Sequence, residues 1–217
     1  MEIEESKKVD IDIEGHKWKI EKQVLMLLGV LVLIFLSFML GIYIKNHYFN
    51  PNIFKYGKMT VYKSRMEGIN VDFYNIPVEM SGGAKNILTF RSDPRALENL
   101  SMNVSNELLK GITHVWIVYS PDLTSDAVIA AGEMGRFTNV IGLRTDFALT
   151  KDGEKYNFKE LNCSEASQSI RVIEMRLGNS TGVYSEGYCI VAEGKDYPEM
   201  IMASDKLAIE WLKEIIA

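Results

Sequence analysis

The sequence predicts an α/β or α+β protein in which one N-terminal transmembrane helix precedes a single layered domain of mixed β-sheet. Three observations support this fold class. A charge-free run of 21 residues occupies positions 24–44, and a strand, a helix and a second strand follow one another within residues 113–143. The C-terminal third then alternates short strands with glycine turns before it ends in an amphipathic helix, which indicates hairpins covered by a helix.

Residues 24–44 predict an uncleaved membrane anchor. A helix of this length extends roughly 31 Å, enough to cross the hydrocarbon core of a bilayer. The apolar region of a cleaved signal peptide is shorter, about 7 to 15 residues, and no small-x-small cleavage site follows this run. Because Lys17, Lys19 and Lys22 lie close to its start, the positive-inside rule favours a cytoplasmic N-terminus and a C-terminal domain outside the cell membrane.

The anchor divides the chain into four parts. We expect a cytoplasmic tail at residues 1–23, the transmembrane helix at 24–44, a stalk at 45–58 and one extracytoplasmic α/β domain at 59–217. The net charge of −5, with no basic stripe or recognition motif, argues against nucleic acid as a partner. The expected partners are the lipid bilayer, through residues 24–44, and a protein at the cell surface or in the membrane.

The first part of the domain predicts short strands and one short helix. Three segments have the composition or alternation of strands, at residues 59–63, 69–73 and 86–90. Pro77 is expected to interrupt the second of them. The dipeptide Asp93-Pro94 supplies the cap and the first residue of a helix.

Residues 113–143 predict a strand–helix–strand unit. Thr113–Tyr119 is an apolar run rich in β-branched and aromatic residues, and Ser120-Pro121-Asp122 ends it. A helix is expected from Asp126 to about Arg136, and Val140–Leu143 is the expected second strand. A connection of this kind joins neighbouring parallel strands.

The last third predicts three strands followed by a helix. The strands are expected at residues 170–177, 182–184 and 188–192, separated by glycine turns, as hairpins. Pro198 opens the helix, whose apolar residues recur every three or four positions: Met200, Ala203, Leu207, Trp211 and Ile215. This helix is expected to cover one face of a sheet, with Lys206 and Glu210 on the other side.

Cys163 and Cys189 are the only cysteines of the chain. Two such residues are also compatible with a reduced cytosolic domain, where buried cysteines act as small apolar side chains. Downstream of a membrane anchor we instead expect a disulfide between them. An antiparallel arrangement of residues 158–163, 169–177 and 188–192 would bring the two ends together.

Four N-x-S/T triplets lie beyond the anchor and predict a glycoprotein. They begin at Asn99, Asn103, Asn162 and Asn179. Because a glycan at Asn162 would compete with packing around the neighbouring disulfide, the other three are the favoured sites.

The sequence lacks a catalytic constellation. Motifs of zinc proteases, redox dithiols, serine hydrolases and phosphate-binding loops are absent, and the domain has one histidine, His114. A zinc site built from Cys163, Cys189 and His114 would lack a fourth ligand and the usual spacing, so no metal or cofactor is expected. The candidate ligand-binding residues are Asp122, Asp126, Arg136 and His114.

Three segments carry a resemblance: FRSDPRALENL, SDAVIAAGEMGR and the stretch from Gly178 to Ile216. Over residues of about 85 to 217 the chain resembles a group of archaeal proteins with one N-terminal transmembrane helix and a cysteine-containing α/β domain. Where that group has Ala-Ala-Asp-Arg-Leu in the last helix, this chain reads Ala203-Ser-Asp-Lys-Leu207. The resemblance implies the same topology and supplies no catalytic residue.

These observations together predict a membrane-anchored extracytoplasmic interaction or envelope module rather than an enzyme. Two alternatives stay open at this point. One is an enzyme with its site near the loop from Asp122 to Asp126, and the other is an accessory subunit of a membrane complex.

Overall fold

A computed structural model describes residues 23–45, 52–66, 68, 70–79, 83–123 and 125–216. Within these ranges the chain is a mixed α/β protein with five α-helices and two β-sheets. It divides into two units, residues 1–51 and residues 52–217. Most of the predicted tail, residues 1–22, and residues 46–51 of the predicted stalk lie outside the described residues.

The first helix, α1 (Gln23–Lys45), coincides with the apolar run of the sequence. Among the described residues it is the one helix long and apolar enough to cross a membrane. Its large apolar side chains are exposed in the structure. Helix α1 is therefore a possible membrane span.

Four antiparallel strands form the smaller sheet in the order in which they occur in the chain. They are β1 (Ile53–Tyr56), β2 (Met59–Arg65), β3 (Asp72–Glu79) and β4 (Lys85–Phe90). Strand β1 lies within residues 45–58, which the sequence analysis assigned to a stalk, and it pairs with β2 over its whole length. The compact unit accordingly begins at Asn52.

Strand β3 continues through Pro77, so the prediction that this proline interrupts the strand is wrong. Strand β2 pairs with β3 only as far as Asn75, whereas Pro77 pairs with Ile87 of β4. Beyond Asn75, β3 therefore has a neighbour on one side only. Proline is tolerated in such an edge-like setting, because no ladder hydrogen bond is lost on the open side.

Seven strands form the larger sheet, in the order β5-β10-β11-β9-β6-β7-β8. Their bounds are β5 (Ser101–Asn103), β6 (His114–Tyr119), β7 (Arg144–Leu149), β8 (Lys159–Glu160), β9 (Arg171–Leu177), β10 (Gly182–Glu186) and β11 (Cys189–Gly194). Two single-turn helices, α2 (Asn106–Leu109) and α4 (Gly153–Tyr156), lie between strands in the chain. At Asp93-Pro94 the expected helix is a single 3₁₀ turn, Ala96–Asn99.

The predicted strand–helix–strand unit is present, with α3 (Ser125–Val140) joining the parallel strands β6 and β7. The second strand begins at Arg144, so the prediction of a strand at Val140–Leu143 is wrong. Those residues end the helix instead. Gly142 has a φ of +86°, and the N–H of Leu143 donates to the carbonyl of Thr138 at 2.9 Å. A residue in the left-handed conformation just past the helix allows this hydrogen bond to form.

The C-terminal strands form one hairpin rather than a series. Strands β10 and β11 are antiparallel around Gly187, as predicted. Strand β9, however, runs parallel to β11 and to β6, and it lies between them. The antiparallel arrangement expected to bring the two cysteines together is therefore wrong, although the cysteines do meet.

The last helix, α5 (Tyr197–Ile216), contacts both sheets. It packs on β9, β10 and β11, and the ammonium group of Lys213 lies 3.0 Å from the hydroxyl of Tyr56 in β1. One apolar core accordingly contains side chains from both sheets and from α3 and α5. The expectation that Lys206 faces solvent is wrong, because this residue is only 6% exposed. The helix is buried on more than one side.

Trp211 belongs to this core, and its substitution tests how the core packs. Its ring meets that of Phe137 edge to face at 5.7 Å between centroids, and it is 3% exposed. Trp211→Ala should lower the free energy of unfolding by about 3 to 5 kcal/mol. Ile215→Ala, on the same helix but 53% exposed, should change it by less than about 0.5 kcal/mol. Chemical denaturation of the full chain in detergent, followed by near-UV circular dichroism, measures both, and equal effects would contradict the packing.

Candidate functional site

The structure does not bring the predicted ligand-binding residues together. His114 begins β6 and Asp122 follows the end of that strand, so roughly 17 Å of extended chain separates Tyr119 from His114. The Nε2 atom of His114 lies 2.8 Å from a carboxylate oxygen of Asp146, and Asp122 forms an ion pair with Lys151. Each candidate therefore has a local partner of its own.

The remaining candidates lie on α3. The guanidinium of Arg136 donates to the carbonyl of Ile87 in β4 at 3.0 Å. Asp126 is the second residue of the helix, and its side chain is outside what the structure describes. The inward side chains that β6, β9, β10 and β11 contribute to the main core lie on one sheet face, together with α3 and α5. In open α/β folds the ligand crevice forms instead at the point where the connecting helices switch from one face of the sheet to the other.

The opposite face of the seven-stranded sheet, which we call the disulfide face, has a different composition. It carries the side chains of Val118, Val172, Glu174, Arg176, Tyr184, Cys189, Val191 and Glu193. No long helix covers it among the described residues. Instead residues 161–170 cross it, and Leu161, Cys163, Ala166 and Ile170 pack on its valines.

A disulfide fixes this crossing segment to the sheet. Cys163, in a 3₁₀ turn, is bonded to Cys189 at the start of β11, with 5.2 Å between the Cα atoms. The backbone N–H of Cys163 also donates to the Glu174 carboxylate at 3.2 Å. In the chain-entropy description, closing a loop of this length stabilises a fold by about 3.5 kcal/mol.

Beside the disulfide, Arg176 is surrounded by acidic groups. We call this set the Arg176 cluster: Arg176, Glu174, Tyr184, Glu186 and Glu193. The guanidinium donates to the Tyr184 hydroxyl at 2.5 Å, and it pairs with the Glu186 carboxylate. Its other nitrogens lie 3.6 Å from Glu174 and 3.5 Å from Glu193. Three carboxylates therefore share one cation, with Glu174 and Glu193 each only 8% exposed.

The hydrogen bonds of Glu193 explain why a carboxylate is tolerated in this buried position. One oxygen accepts from Tyr184 at 2.6 Å, and the other accepts from the N–H and the hydroxyl of Ser180 at 3.0 and 2.7 Å. The bond from Tyr184, with those from Ser180, lowers the pKa of Glu193 against the effect of burial. Burial acts to lower the pKa of Arg176, but its bonds to Tyr184 and Glu186 raise it. Both groups remain charged at neutral pH.

Sequence analysis missed the Arg176 cluster, although the strands contain a signal for it. Glu174 and Arg176 alternate with buried apolar residues in β9, and Glu193 does the same in β11. Charged residues at every second position indicate a polar sheet face. The sequence analysis predicts strands there without assigning a polar face, and the pairing of β9 with β11, which places Arg176 beside Glu193, is not visible in the local pattern.

A second group of buried charges lies between α3, α5 and the end of β4. Asp205, 2% exposed, accepts the backbone N–H groups of Arg91 and Ser92 at 3.1 and 2.9 Å. Glu133 pairs with Arg91 at 2.7 Å, and its second oxygen is buried without a hydrogen-bond partner. Burial, with the nearby charge of Glu133, raises the pKa of Asp205 to about 7. Burial also raises the pKa of Glu133.

A cleft of about 340 Å³ lies next to this group, lined by Arg91, Ser92, Asp93, Ala96, Pro198, Ile201 and Met202. Asp205 is not among the lining residues, and Asp93 is engaged by Arg95 at 2.6 Å. The buried carboxyl groups therefore do not open into the cleft, and they act on the fold rather than on a ligand there.

The four asparagines of the N-x-S/T triplets are all exposed. Asn162 is also a cap, since its side-chain oxygen accepts from the N–H and the hydroxyl of Ser164 at 2.9 and 2.7 Å. Glycosylation at Asn99, Asn103 and Asn179 stays a prediction.

No protein-family model, curated protein or solved structure matches the chain. The resemblance to archaeal membrane proteins stays a prediction.

Substitution of Gly178 tests whether the Arg176 cluster depends on close packing at this position. A Cβ atom at this position would lie 2.2 Å from the carboxylate carbon of Glu193. Gly178→Ala should therefore cost about 1 to 3 kcal/mol of unfolding free energy. In contrast, a Cβ atom at Gly132, inside α3, meets nothing within 4 Å. Gly132→Ala should stabilise the chain by up to about 1 kcal/mol. Denaturation midpoints measure whether each variant is more or less stable than the wild type. A Gly178→Ala variant of unchanged stability would show that the cluster is loosely packed.

The raised pKa of Asp205 predicts that the free energy of unfolding depends on pH. Its pKa is raised to about 7 in the folded state, so the folded chain holds a proton that the unfolded chain has already lost at pH 5 or 6. This contribution to stability is complete below the unfolded pKa of about 3.9 and disappears as the pH rises through 7. Between pH 4 and 7 it declines by up to roughly 1.4 kcal/mol per pH unit. Asp205→Asn should make the decline markedly smaller, and the raised pKa of Glu133 accounts for what remains.

Asp72→Asn is the control for this experiment. Bonds from Arg65 and Lys63 lower the pKa of Asp72 to about 2, so its contribution to stability is lost only as the pH falls from about 5 toward 2. This variant should keep the wild-type decline between pH 5 and 7. Unfolding free energies measured across that range test whether Asp205 causes the decline. An unchanged decline in Asp205→Asn would show that it does not.

Proposed function

We propose that the chain is a single-pass membrane protein whose C-terminal domain, the unit of residues 52–217, is an extracytoplasmic interaction or envelope module. Residues 24–44 form the anchor and residues 1–23 the cytoplasmic tail. The disulfide between Cys163 and Cys189 carries this proposal, because it occurs in a chain with one exposed apolar helix near the N-terminus.

The disulfide supports an oxidising compartment. Disulfides persist in secreted, periplasmic and cell-surface proteins and are rare in the reducing cytosol. Cys189 is fully buried, and both cysteines lie on the disulfide face, where the bond holds residues 161–170 against the sheet. The bond therefore has a structural position of the kind found in extracellular domains.

Helix α1 supports the anchor. Its apolar side chains are exposed along the whole helix, including Leu25 at 78% and Leu33 at 68%. Contiguous apolar surface of this extent is unstable in water and indicates a lipid or protein environment. All the backbone bonds of a helix lie within it, so this run satisfies the requirement for crossing a bilayer. The lysines before residue 24 favour a cytoplasmic N-terminus.

The disulfide face supports binding rather than catalysis. In the Arg176 cluster, both oxygens of Glu193 and the hydroxyl of Tyr184 are engaged in hydrogen bonds within the protein. Groups held in this way are poorly placed to exchange protons with a substrate. The outer part of the cluster, where the Glu186 side chain is 43% exposed, presents negative charge to a partner.

The orientation is tested by protease treatment of intact cells or spheroplasts that produce the full chain with a tag at each end. Protease should remove the C-terminal tag and leave the N-terminal tag on a fragment that contains α1. After detergent opens the membrane, both tags should be lost, which serves as the control. Protection of the C-terminal tag together with loss of the N-terminal tag would reverse the orientation.

The compartment is tested on the same material by thiol alkylation and mass measurement. Protein alkylated before reduction should carry no adduct on Cys163 and Cys189, and reduction should expose two sites. Two adducts before reduction would contradict an oxidising location, whatever the orientation of the helix.

A further inference from the structure

Three ligand atoms for a metal ion converge on the disulfide face. The sulfur atoms of Cys163 and Cys189 and a carboxylate oxygen of Glu174 lie within 4.8 Å of one another. Glu174 and Cys189 are buried, and Cys163 is partly exposed, which leaves a route from solvent. We propose that, when the disulfide is reduced, these three side chains form a zinc site.

The ligand set determines which metal fits. Thiolate sulfur favours Zn²⁺ and other borderline or soft ions over Mg²⁺ and Ca²⁺, which prefer oxygen. Two sulfurs at about 2.3 Å from a tetrahedral zinc lie roughly 3.8 Å from each other. The Cα atoms of the cysteines are 5.2 Å apart, so rotation of the side chains can supply this separation while the sheet keeps its pairing. One water completes four-coordination, as in open zinc sites.

Glu174 is oriented for this role. It projects from β9 beneath the crossing segment, and its Oε2 atom accepts the N–H of Cys163 at 3.2 Å. Its other oxygen lies 3.6 Å from Arg176. Two thiolates and one carboxylate exceed the charge of Zn²⁺ by one unit, and the guanidinium of Arg176, which Glu174 shares with Glu186 and Glu193, partly offsets that excess. His114, considered from the sequence as a third ligand, pairs with Asp146 instead.

The zinc site and the disulfide exclude each other. A phosphine reductant breaks the S–S bond and becomes its oxide; water supplies the oxygen atom and the two thiol protons. Zinc then displaces those two protons as it binds the thiolates. In either state residues 161–170 are joined to β11, by a covalent bond or through the metal. This inference is independent of the compartment proposed above.

The test uses the full chain in detergent micelles, reduced by a phosphine, with Co²⁺ as a spectroscopic probe. Reduced wild type should develop the visible absorption of tetrahedral thiolate-bound Co²⁺, and Zn²⁺ should abolish it by displacement. Oxidised wild type and the Cys163→Ser, Cys189→Ser double variant should show neither signal. Absence of absorption in the reduced wild type, or its presence in the double variant, would overturn the proposal.

Two variants of the Arg176 cluster distinguish a specific metal ligand from a general effect of nearby negative charge. Glu174→Gln should weaken Co²⁺ and Zn²⁺ binding at least tenfold, whereas Glu186→Gln, which removes an exposed carboxylate of the same cluster, should keep the wild-type affinity. Equal affinities in the two variants would remove Glu174 from the site. If reduction unfolds the chain, Zn²⁺ should restore its near-UV circular dichroism; failure to do so would also overturn the proposal.

Discussion

The contact between Asp205 and the end of β4 is the interaction that the rest of the C-terminal unit depends on. Two backbone N–H groups just after β4 find their acceptor on a helix more than a hundred residues later in the chain. Without that acceptor, the N–H groups of Arg91 and Ser92 would be buried without partners, which costs more than an ordinary hydrogen bond gains. The carboxyl group thus fixes the four-stranded sheet against α5, which itself packs on the seven-stranded sheet.

The two faces of the larger sheet are covered by different kinds of structure. The face toward α3 and α5 is covered by long apolar helices and needs no further support. On the disulfide face an irregular segment provides the cover, and such a segment buries little apolar surface for its length. A covalent bond and a carboxylate at its first turn hold it in place, and beside it Glu174 and Glu193 share the guanidinium of Arg176. The polar cluster and the disulfide therefore belong to one structural arrangement.

Most secondary-structure elements follow from local sequence, whereas strand pairing does not. The periodicities of β2, β6 and α5 each reflect burial of one set of side chains, and such patterns can be recognised in a single sequence. The wrong prediction at Val140–Leu143 arises because the end of α3, with Gly142 in the left-handed conformation just beyond it, depends on backbone conformation rather than on apolar content. The cysteine pair was predicted from the compartment expected beyond a membrane anchor. Its acidic surroundings were missed because Glu174, Tyr184 and Glu193 come together only through the pairing of β11 with β9 on one side and with β10 on the other.

The larger sheet ends in two very short strands, with β5 of three residues at one edge and β8 of two at the other. Open edges allow β-proteins to add strands from neighbouring copies and so to aggregate. Here each edge presents only a few unpaired N–H and C=O groups, and an added strand would gain few backbone bonds. Copies at high local concentration would therefore meet through side chains, and the sheet itself resists growing into a fibre.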